Sequence, residues 1–398
     1  MNSPSPKQDF LWGAATSSHQ VEGNNQLNDW WDWEKRNQPE TKQSGLACDQ
    51  WQRWEEDVVL IKELGHNAHR LSLEWSRIEP TEGVFDETAL DHYKLILQTL
   101  HKHGIKTVVT LHHFTNPQWL MVNGGWVNSC VVKRFSRYVE KVIQVLGNEM
   151  DFVLTINEPG VYAFMSYQVG AWPPQERSIW RMARVFWNMS RAHRAAYDII
   201  KHRLPSLPVS IAHNVSTFEA VHPKSLRERF AARCYNWFNN QLFYSLSGLR
   251  THDVLGVNYY FHRRLDAKGR LWPRFQDPKE TGRAVSDLGW ELFPEGLGRA
   301  VDLLRGYRKP ILVTEHGLAD AVDSRRPEFI RESLGVLLKR REEGAPVIGY
   351  LHWSLMDNFE WADGFEPRFG LVEVDYVTQK RTPRPSAWVY KDIIEKYS

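Results

Sequence analysis

Two glutamates in similar short settings carry the clearest chemical potential of the chain. Glu158 stands in Thr155-Ile156-Asn157-Glu158-Pro159 and Glu315 in Thr314-Glu315-His316-Gly317, each at the end of a run of apolar or β-branched residues. Two carboxyl groups facing one another across a sugar are what cleavage of a glycosidic bond requires: one protonates the departing oxygen, and the other attacks or stabilises the anomeric carbon. Singly, each has a plainer reading. A Glu before Pro often opens a helix, where its charge favours the N-terminal dipole, and a Glu before Gly can be a solvated turn residue. The pair gains meaning only if the chain brings both to one place.

The pattern of the chain says how it would. Short apolar or β-branched runs cover residues 10–16, 68–74, 107–113, 152–157, 209–213, 254–260, 311–314 and 348–353. They alternate with amphipathic stretches. Residues 49–64 carry Trp51, Trp54, Val58, Ile61 and Leu64 on one broad face and stop at Gly65; residues 88–102 stop near Gly104; residues 131–146, 180–202 and 327–343 read likewise. Eight strands alternating with helices predict an α/β fold, a single-domain (β/α)8 TIM barrel over residues 10–398 after a tail of residues 1–9. Length alone, 398 residues, also allows two or three domains. In such a barrel the active site gathers where strands end. Those positions hold Gln20, Arg70, His113, Asn157, Glu158, His213, Asn214, Asn258, Tyr260, Glu315 and Trp353. Carboxylates, amides and aromatic rings suit sugar hydroxyls and sugar faces.

Composition narrows the class. With 50 Lys plus Arg against 48 Asp plus Glu the formal charge is +2, and both signs are spread along the chain, which argues against a nucleic-acid or anionic-membrane partner. The 18 tryptophans are good sugar platforms and equally good core fillers. Cys48, Cys130 and Cys234 are odd in number, far apart and without metal-ligand spacing. They read as buried small hydrophobes in a reducing compartment. His112 and His113 are adjacent, so in a strand they face opposite ways and only His113 can line the pocket. Residues 1–10 show no signal-peptide core, and the uncharged stretch 107–132 is broken by His112, His113, Asn116, Pro117 and Gly124. A cytoplasmic protein with no metal, no cofactor and no membrane partner is expected.

At this point the motifs resemble a known family. Residues 10–23, Phe-Leu-Trp-Gly-Ala-Ala-Thr-Ser-Ser-His-Gln-Val-Glu-Gly, are similar to the N-terminal signature of family 1 glycoside hydrolases, the β-glucosidase and β-galactosidase family. Asn157-Glu158-Pro159 resembles its acid/base motif, Thr314-Glu315-His316-Gly317 its nucleophile motif, and residues 353–361 its glycone-binding segment. The resemblance implies that Glu158 is the general acid/base and Glu315 the nucleophile. It places Asn157 at the sugar 2-hydroxyl, and Arg70 and Tyr260 on Glu315 with Asn258 beside them. Gln20, His113 and Glu360 would grip glycone hydroxyls, Trp353 and Trp361 would pack on or bond to the ring, and Trp290 would stack at the aglycone side.

The implied activity is that of a retaining exo-β-glycosidase on small β-D-glucosides or oligosaccharides, with β-galactosides or β-fucosides as further substrates. A transglycosylase would use the same two glutamates, whereas a non-catalytic sugar-binding barrel would have lost one. Glu360 stands where members that use 6-phosphorylated sugars have a serine in this region, which favours unphosphorylated sugars. Three departures stand out. His316 replaces the usual asparagine, Phe114 replaces a common tryptophan, and the chain is short, mainly between residues 236–238 and the strand near Asp253. The loops after Glu315 also look brief, which would open the aglycone side. A homo-oligomer is left open.

Overall fold

The computed structural model describes residues 10–398; the tail expected over residues 1–9 lies outside them. Five strands follow one another in space as in sequence: β1 (Leu11–Ala15), β2 (Ala68–Ser72), β3 (Lys106–Thr110), β4 (Phe152–Asn157) and β5 (Val209–Ala220). Next come β6 (Leu255–Asp266), a two-residue strand β7 (Arg274–Phe275) folded antiparallel onto β6, then β8 (Ile311–His316) and β9 (Val347–Trp353). β5 pairs with β6, β6 with β8, and β9 with β1, so eight parallel strands close a ring. A helix follows each: α1 (Gln50–Glu63), α2 (Glu87–Lys102), α3 (Val131–Leu146), α4 (Ile179–Arg203), α5 (Leu226–Asn240), α6 (Glu295–Leu304), α7 (Arg326–Glu342) and α8 (Pro385–Tyr397). This is the expected (β/α)8 barrel.

Side-chain alternation explains why these runs become barrel strands. Leu11, Ala68, Val108, Leu154, Ala212, Leu312 and Leu351 fill the lower interior, while Trp12, Val109, Val153, Ile211, Val257 and Val313 join the larger core between strands and helices. The helices match that outer face. In α3, Val131, Phe135, Tyr138, Val139, Val142 and Leu146 are all buried, a stripe recurring every three or four residues. Each large apolar side chain so buried contributes roughly 1.5–3 kcal/mol. Asn128 and Ser129 lead into α3, and Cys130 at its N-cap is exposed. That corrects the expectation that all three cysteines are buried: Cys48 is, with its Sγ 3.1 Å from the Asp357 carbonyl, whereas Cys234 is only partly covered.

Two boundaries differ in ways that matter for the site. β3 ends at Thr110, so His112 and His113 lie in the loop beyond it. β5 and β6 are 12 residues each and run past the barrel rim, pairing Thr217 with His262, Phe218 with Arg263, Glu219 with Arg264 and Ala220 with Leu265. Their outer halves mix polar and apolar residues; Leu265 and Phe218 pack against Ala231 and Ala232 of α5, and charge pairing adds to this. Arg264 pairs with Glu219 across the ladder and with Glu291 at 3.2 Å. The connection from α5 to β6 is short, contains a small helix (Leu242–Ser247) and a 3-10 turn (Leu249–Thr251), and enters at the N-terminal end of β6, the end opposite the glutamates. Among the described residues no helix is long and apolar enough to cross a membrane.

Candidate active site

Glu158 follows β4 directly and has φ +41° and ψ +58°, a left-handed conformation that a residue with a side chain rarely adopts. Its N–H donates to the Ala212 carbonyl at 2.7 Å, and Pro159 starts a short helix, Pro159–Phe164. The residue occupies the N-cap, yet its carboxyl makes no cap hydrogen bond. It accepts instead from Asn258 Nδ2 at 2.8 Å and Asn214 Nδ2 at 3.2 Å. Helix opening therefore does not explain this glutamate. Glu315 is no solvated turn residue either. It is 4% exposed, and a Cβ at Gly317 would fall 1.8 Å from the Trp353 carbonyl oxygen, so the glycine serves close approach of β8 to β9.

Arg70, from β2, links the strand ends. Its guanidinium is fully buried and donates to Thr110 Oγ1 at 3.0 Å, the Thr314 carbonyl at 3.2 Å, Asn157 Oδ1 at 2.8 Å and the Glu315 carboxylate. Tyr260 donates its hydroxyl to the other Glu315 oxygen at 2.8 Å. Because Arg70 can only donate, the Asn157 oxygen faces it, and the Asn157 amide N–H is left for His113 Nε2 at 3.2 Å. His113 Nε2 therefore accepts, which puts the ring proton on Nδ1. Burial, with Arg70 beside it, holds the pKa of His113 well below the usual value, so the ring is neutral. Its Nδ1 has no protein partner, and the N–H is left to donate to a ligand.

Gln20, Glu360, Trp353 and Trp361 surround the same space. Gln20 donates to the Phe359 carbonyl at 2.7 Å, Asn358 Oδ1 at 3.0 Å and Glu360 Oε2 at 3.3 Å. The rings of Trp353 and Trp361 each lie 6.0 Å from that of His113 and within 20° of its plane. Trp290 packs on Tyr260 at 5.7 Å, Phe261 at 4.6 Å and Phe369 at 6.0 Å, next to the group that holds Glu315. The residues that the resemblance assigns to the site thus gather at one end of the barrel, whereas His213, also at a strand end, turns outward to the Asn239 carbonyl at 2.9 Å and packs on Tyr244. Asn258 differs in emphasis: expected beside Glu315, it bonds Glu158 and Asn157 (3.1 Å) and also counts among the groups that lower the Glu315 pKa.

Asn214 and Asn358 belong to the constellation too, although neither was given a role from sequence. Asn214 was marked by its position at a strand end. His112 turns away, bonding Asn116 at 3.0 Å and packing edge-on to Trp126 and Tyr162. His316 also points outward. It bonds the Tyr350 hydroxyl at 3.0 Å and stacks on Phe329, and burial lowers its pKa to about 3.

The two central carboxyls differ in electrostatics. Burial and then the charge of Glu315 push Glu158 up to about 8, opposed by two amides and Arg70. Burial also raises Glu315, but Arg70, Tyr260 and Asn258 all favour its ionised form. Glu315 is therefore the more readily ionised of the pair, and Glu158 keeps its proton near neutrality. Burial, then Asp363, Glu315 and Glu158, raise Glu360 to about 8. Among the described residues, the group with metal-ligand spacing is His222, Glu228 and Asp266, outside this site. There Glu228 already accepts from His222 Nδ1 at 3.0 Å and the Ala267 N–H at 3.0 Å, so it works as a clip between α5 and the end of β6.

Comparison with known proteins places the chain in a family. The model of glycosyl hydrolase family 1 matches residues 4–250 and 247–398. The chain is 32% identical to a beta-glucosidase from an Agrobacterium species, over 96% of this chain and 94% of that one. It is 29% identical to a beta-galactosidase from Pyrococcus woesei, over 97% and 96% of the two chains. The fold is similar to that of a beta-glycosidase from Pyrococcus horikoshii, with a TM-score of 0.88 and 36% identity over 99% of this chain and 95% of that chain.

Proposed function

Because the chain belongs to glycosyl hydrolase family 1, we propose that this glycosidase is a retaining exo-β-glycosidase of β-D-glucosides, with β-galactosides and β-fucosides as further substrates, its whole machinery held in one barrel domain. The observation that carries the reading is the unequal treatment of the two glutamates. Glu315, ionised by Arg70 and Tyr260, attacks the anomeric carbon while Glu158 gives its proton to the leaving oxygen. The glycosyl ester that forms is neutral. The repulsion that helped Glu158 keep its proton then disappears, its pKa falls, and it removes a proton from the attacking water. Water enters from the face the aglycone left, so the β configuration is restored.

Asn157 lies at the sugar 2-hydroxyl, His113 offers its Nδ1–H, and Gln20 and Glu360 address the hydroxyls at the far side of the glycone. Trp353 and Trp361 give the ring an apolar wall, and Trp290 with Tyr260 borders the aglycone side. Burial, and then the acids Asp363 and Glu315, hold a proton on Glu360, and the same burial and negative charge oppose a phosphate there, which favours unphosphorylated sugars. The test is a panel of aryl β-D-glycosides, including a 6-phosphoglucoside, with the first-formed anomer read by NMR. The proposal expects β-glucose as the first product and no turnover by Glu315→Ala or Glu158→Ala on unactivated glucosides. With azide, Glu315→Ala gives the α-glycosyl azide and Glu158→Ala the β-glycosyl azide. An α-anomer as first product, or preference for the phosphorylated substrate, refutes it. Predominant glycosyl transfer to added acceptor sugar at low concentration would make transglycosylation the main activity.

A further inference from the structure

The outer halves of β5 and β6 position a surface that the glycosidase reaction does not use. Helix α5 packs its buried face, Glu228, Ala231 and Ala232, against this ladder and turns Leu226, Phe230 and Trp237 outward along one stripe. Leu226 is 76% and Phe230 61% exposed. Arg227 and Arg229 flank the stripe, and Arg233 lies within it. The turn between β6 and β7 continues the surface. Leu271, at its tip, is 86% exposed, and the Trp272 ring lies 6.5 Å from Phe230 and edge-on to it. Arg270, Arg274 and Lys268 are exposed beside them. The clip at Glu228 and the stacking of Tyr235 between Phe218 and Phe275 make helix and turn one unit.

We propose that this face docks the enzyme on an anionic lipid bilayer, with Phe230, Trp237, Leu271 and Trp272 entering the headgroup region and the surrounding arginines meeting lipid phosphates. An apolar helix stripe with aromatic rings and a basic border is the composition of an interfacial helix. Each Lys or Arg near such a surface adds attraction. The exposed charge is predominantly positive: Glu228 and Asp266 are buried, and against Arg227, Arg229, Arg233, Lys268, Arg270 and Arg274 stand the exposed acids Asp277 and Glu280 further along the chain. That argues against a second copy as occupant: across a two-fold axis the same arginines would confront one another. The near-zero net charge of the chain hid this, because folding gathers on one face cations that are scattered in sequence. The face also reaches the aglycone side. The Arg263 guanidinium lies 5.9 Å from the Phe275 ring and 4.8 Å from the Phe261 ring, and Phe261 packs on Trp290. A glucoside carried on an apolar chain in the bilayer would thus be presented beside the site entrance. The docking itself does not depend on the substrate class proposed above.

The test is flotation of the full chain with vesicles of phosphatidylcholine alone and with about 30% phosphatidylglycerol, in low and high salt. Two double variants are compared, Phe230→Ser/Trp237→Ser and Arg227→Glu/Arg233→Glu. Thermal unfolding and turnover of a soluble aryl β-glucoside verify that each is folded. The proposal expects wild-type binding to the anionic vesicles, weakened at least about tenfold in each variant and by salt, with soluble-substrate turnover unchanged. Absence of wild-type binding, equal binding to neutral vesicles, or variants that bind as wild type would overturn it. So would light scattering that shows a dimer abolished by the variants while vesicles are ignored. Should a variant fail to fold, quenching of wild-type tryptophan fluorescence by brominated lipid gives the same decision.

Discussion

Replacing Glu315 by Gln should lower the pKa of Glu158 from about 8 to roughly 6, and the size follows from the site. Glu158 is raised from 4.5 first by burial and second by the Glu315 charge. For the ~5–5.5 Å separation that a retaining pair requires, and an effective dielectric of about 20, that charge is worth roughly 3 kcal/mol, about two pKa units. Glu315→Gln removes the charge but leaves burial and the bonds from Asn258 and Asn214 in place. Arg70, no longer neutralised, acts in the same direction. The measurement is a ¹³C NMR titration of labelled glutamate carboxyls in wild type and Glu315→Gln, with Glu158→Gln to assign the resonance. In wild type the same ionisation should appear as the alkaline limb of kcat/KM near pH 8, because the proposed first step needs Glu158 protonated. If Glu158 still titrates near 8 in Glu315→Gln, burial alone sets its pKa. The mechanism in which the ester intermediate releases the Glu158 proton would then fail.

Four further outcomes are expected. Tyr260→Phe removes a hydrogen bond to a carboxylate, worth about 1.5–3 kcal/mol, so kcat/KM should fall roughly ten- to a hundredfold and its acid limb should move to higher pH; an unmoved limb would show that the hydroxyl does not ionise Glu315. Arg70→Met leaves Glu315 buried without its cation and should cost about 3–5 kcal/mol in urea unfolding at pH 7; a loss under ~1 kcal/mol would contradict the account of Arg70. His316→Phe keeps a ring against Phe329 and loses the bond to Tyr350, so stability should drop by about 1 kcal/mol while the kcat/KM pH profile stays put; a shifted acid limb would mean that His316 tunes Glu315. Glu360 has a folded pKa raised to about 8, so its contribution to stability is fully present below about 4.5 and is lost as pH rises through 8. Glu360→Gln should therefore gain in Tm relative to wild type from pH 5 to pH 8, and a Tm difference independent of pH would refute the shift.

The barrel was legible in the sequence because its strands are buried on both faces and so read as apolar or β-branched runs, as in Val153-Leu154-Thr155-Ile156. Glu158 and Glu315 stood out because they end such runs. The outer halves of β5 and β6 did not, since Ser216, Thr217, Glu219, His262 and Arg264 form no apolar pattern. They are strand because residues far apart in sequence meet across the ladder: Glu219 pairs with Arg264, 45 residues on, and Leu265 and Phe218 pack with Ala231 and Ala232 of α5. Asn214 was visible as a strand end, but its bond to Glu158 depends on how β4 and β5 are registered. His316 shows the converse. It follows Glu315 directly, where the family usually has asparagine, yet strand alternation sends it outward to Tyr350.

The bonds of Arg70 have a consequence for how the molecule is made. Its partners Thr110, Asn157, Thr314 and Glu315 lie 40, 87, 244 and 245 residues further along the chain. No local folding event can satisfy that guanidinium. Until β8 closes the ring it must stay hydrated, because burial without its acceptors would leave an uncompensated charge. Contacts of such sequence separation form slowly, after long loops have been closed. Hydrolytic competence therefore ought to return as one of the last events of refolding, later than helix content.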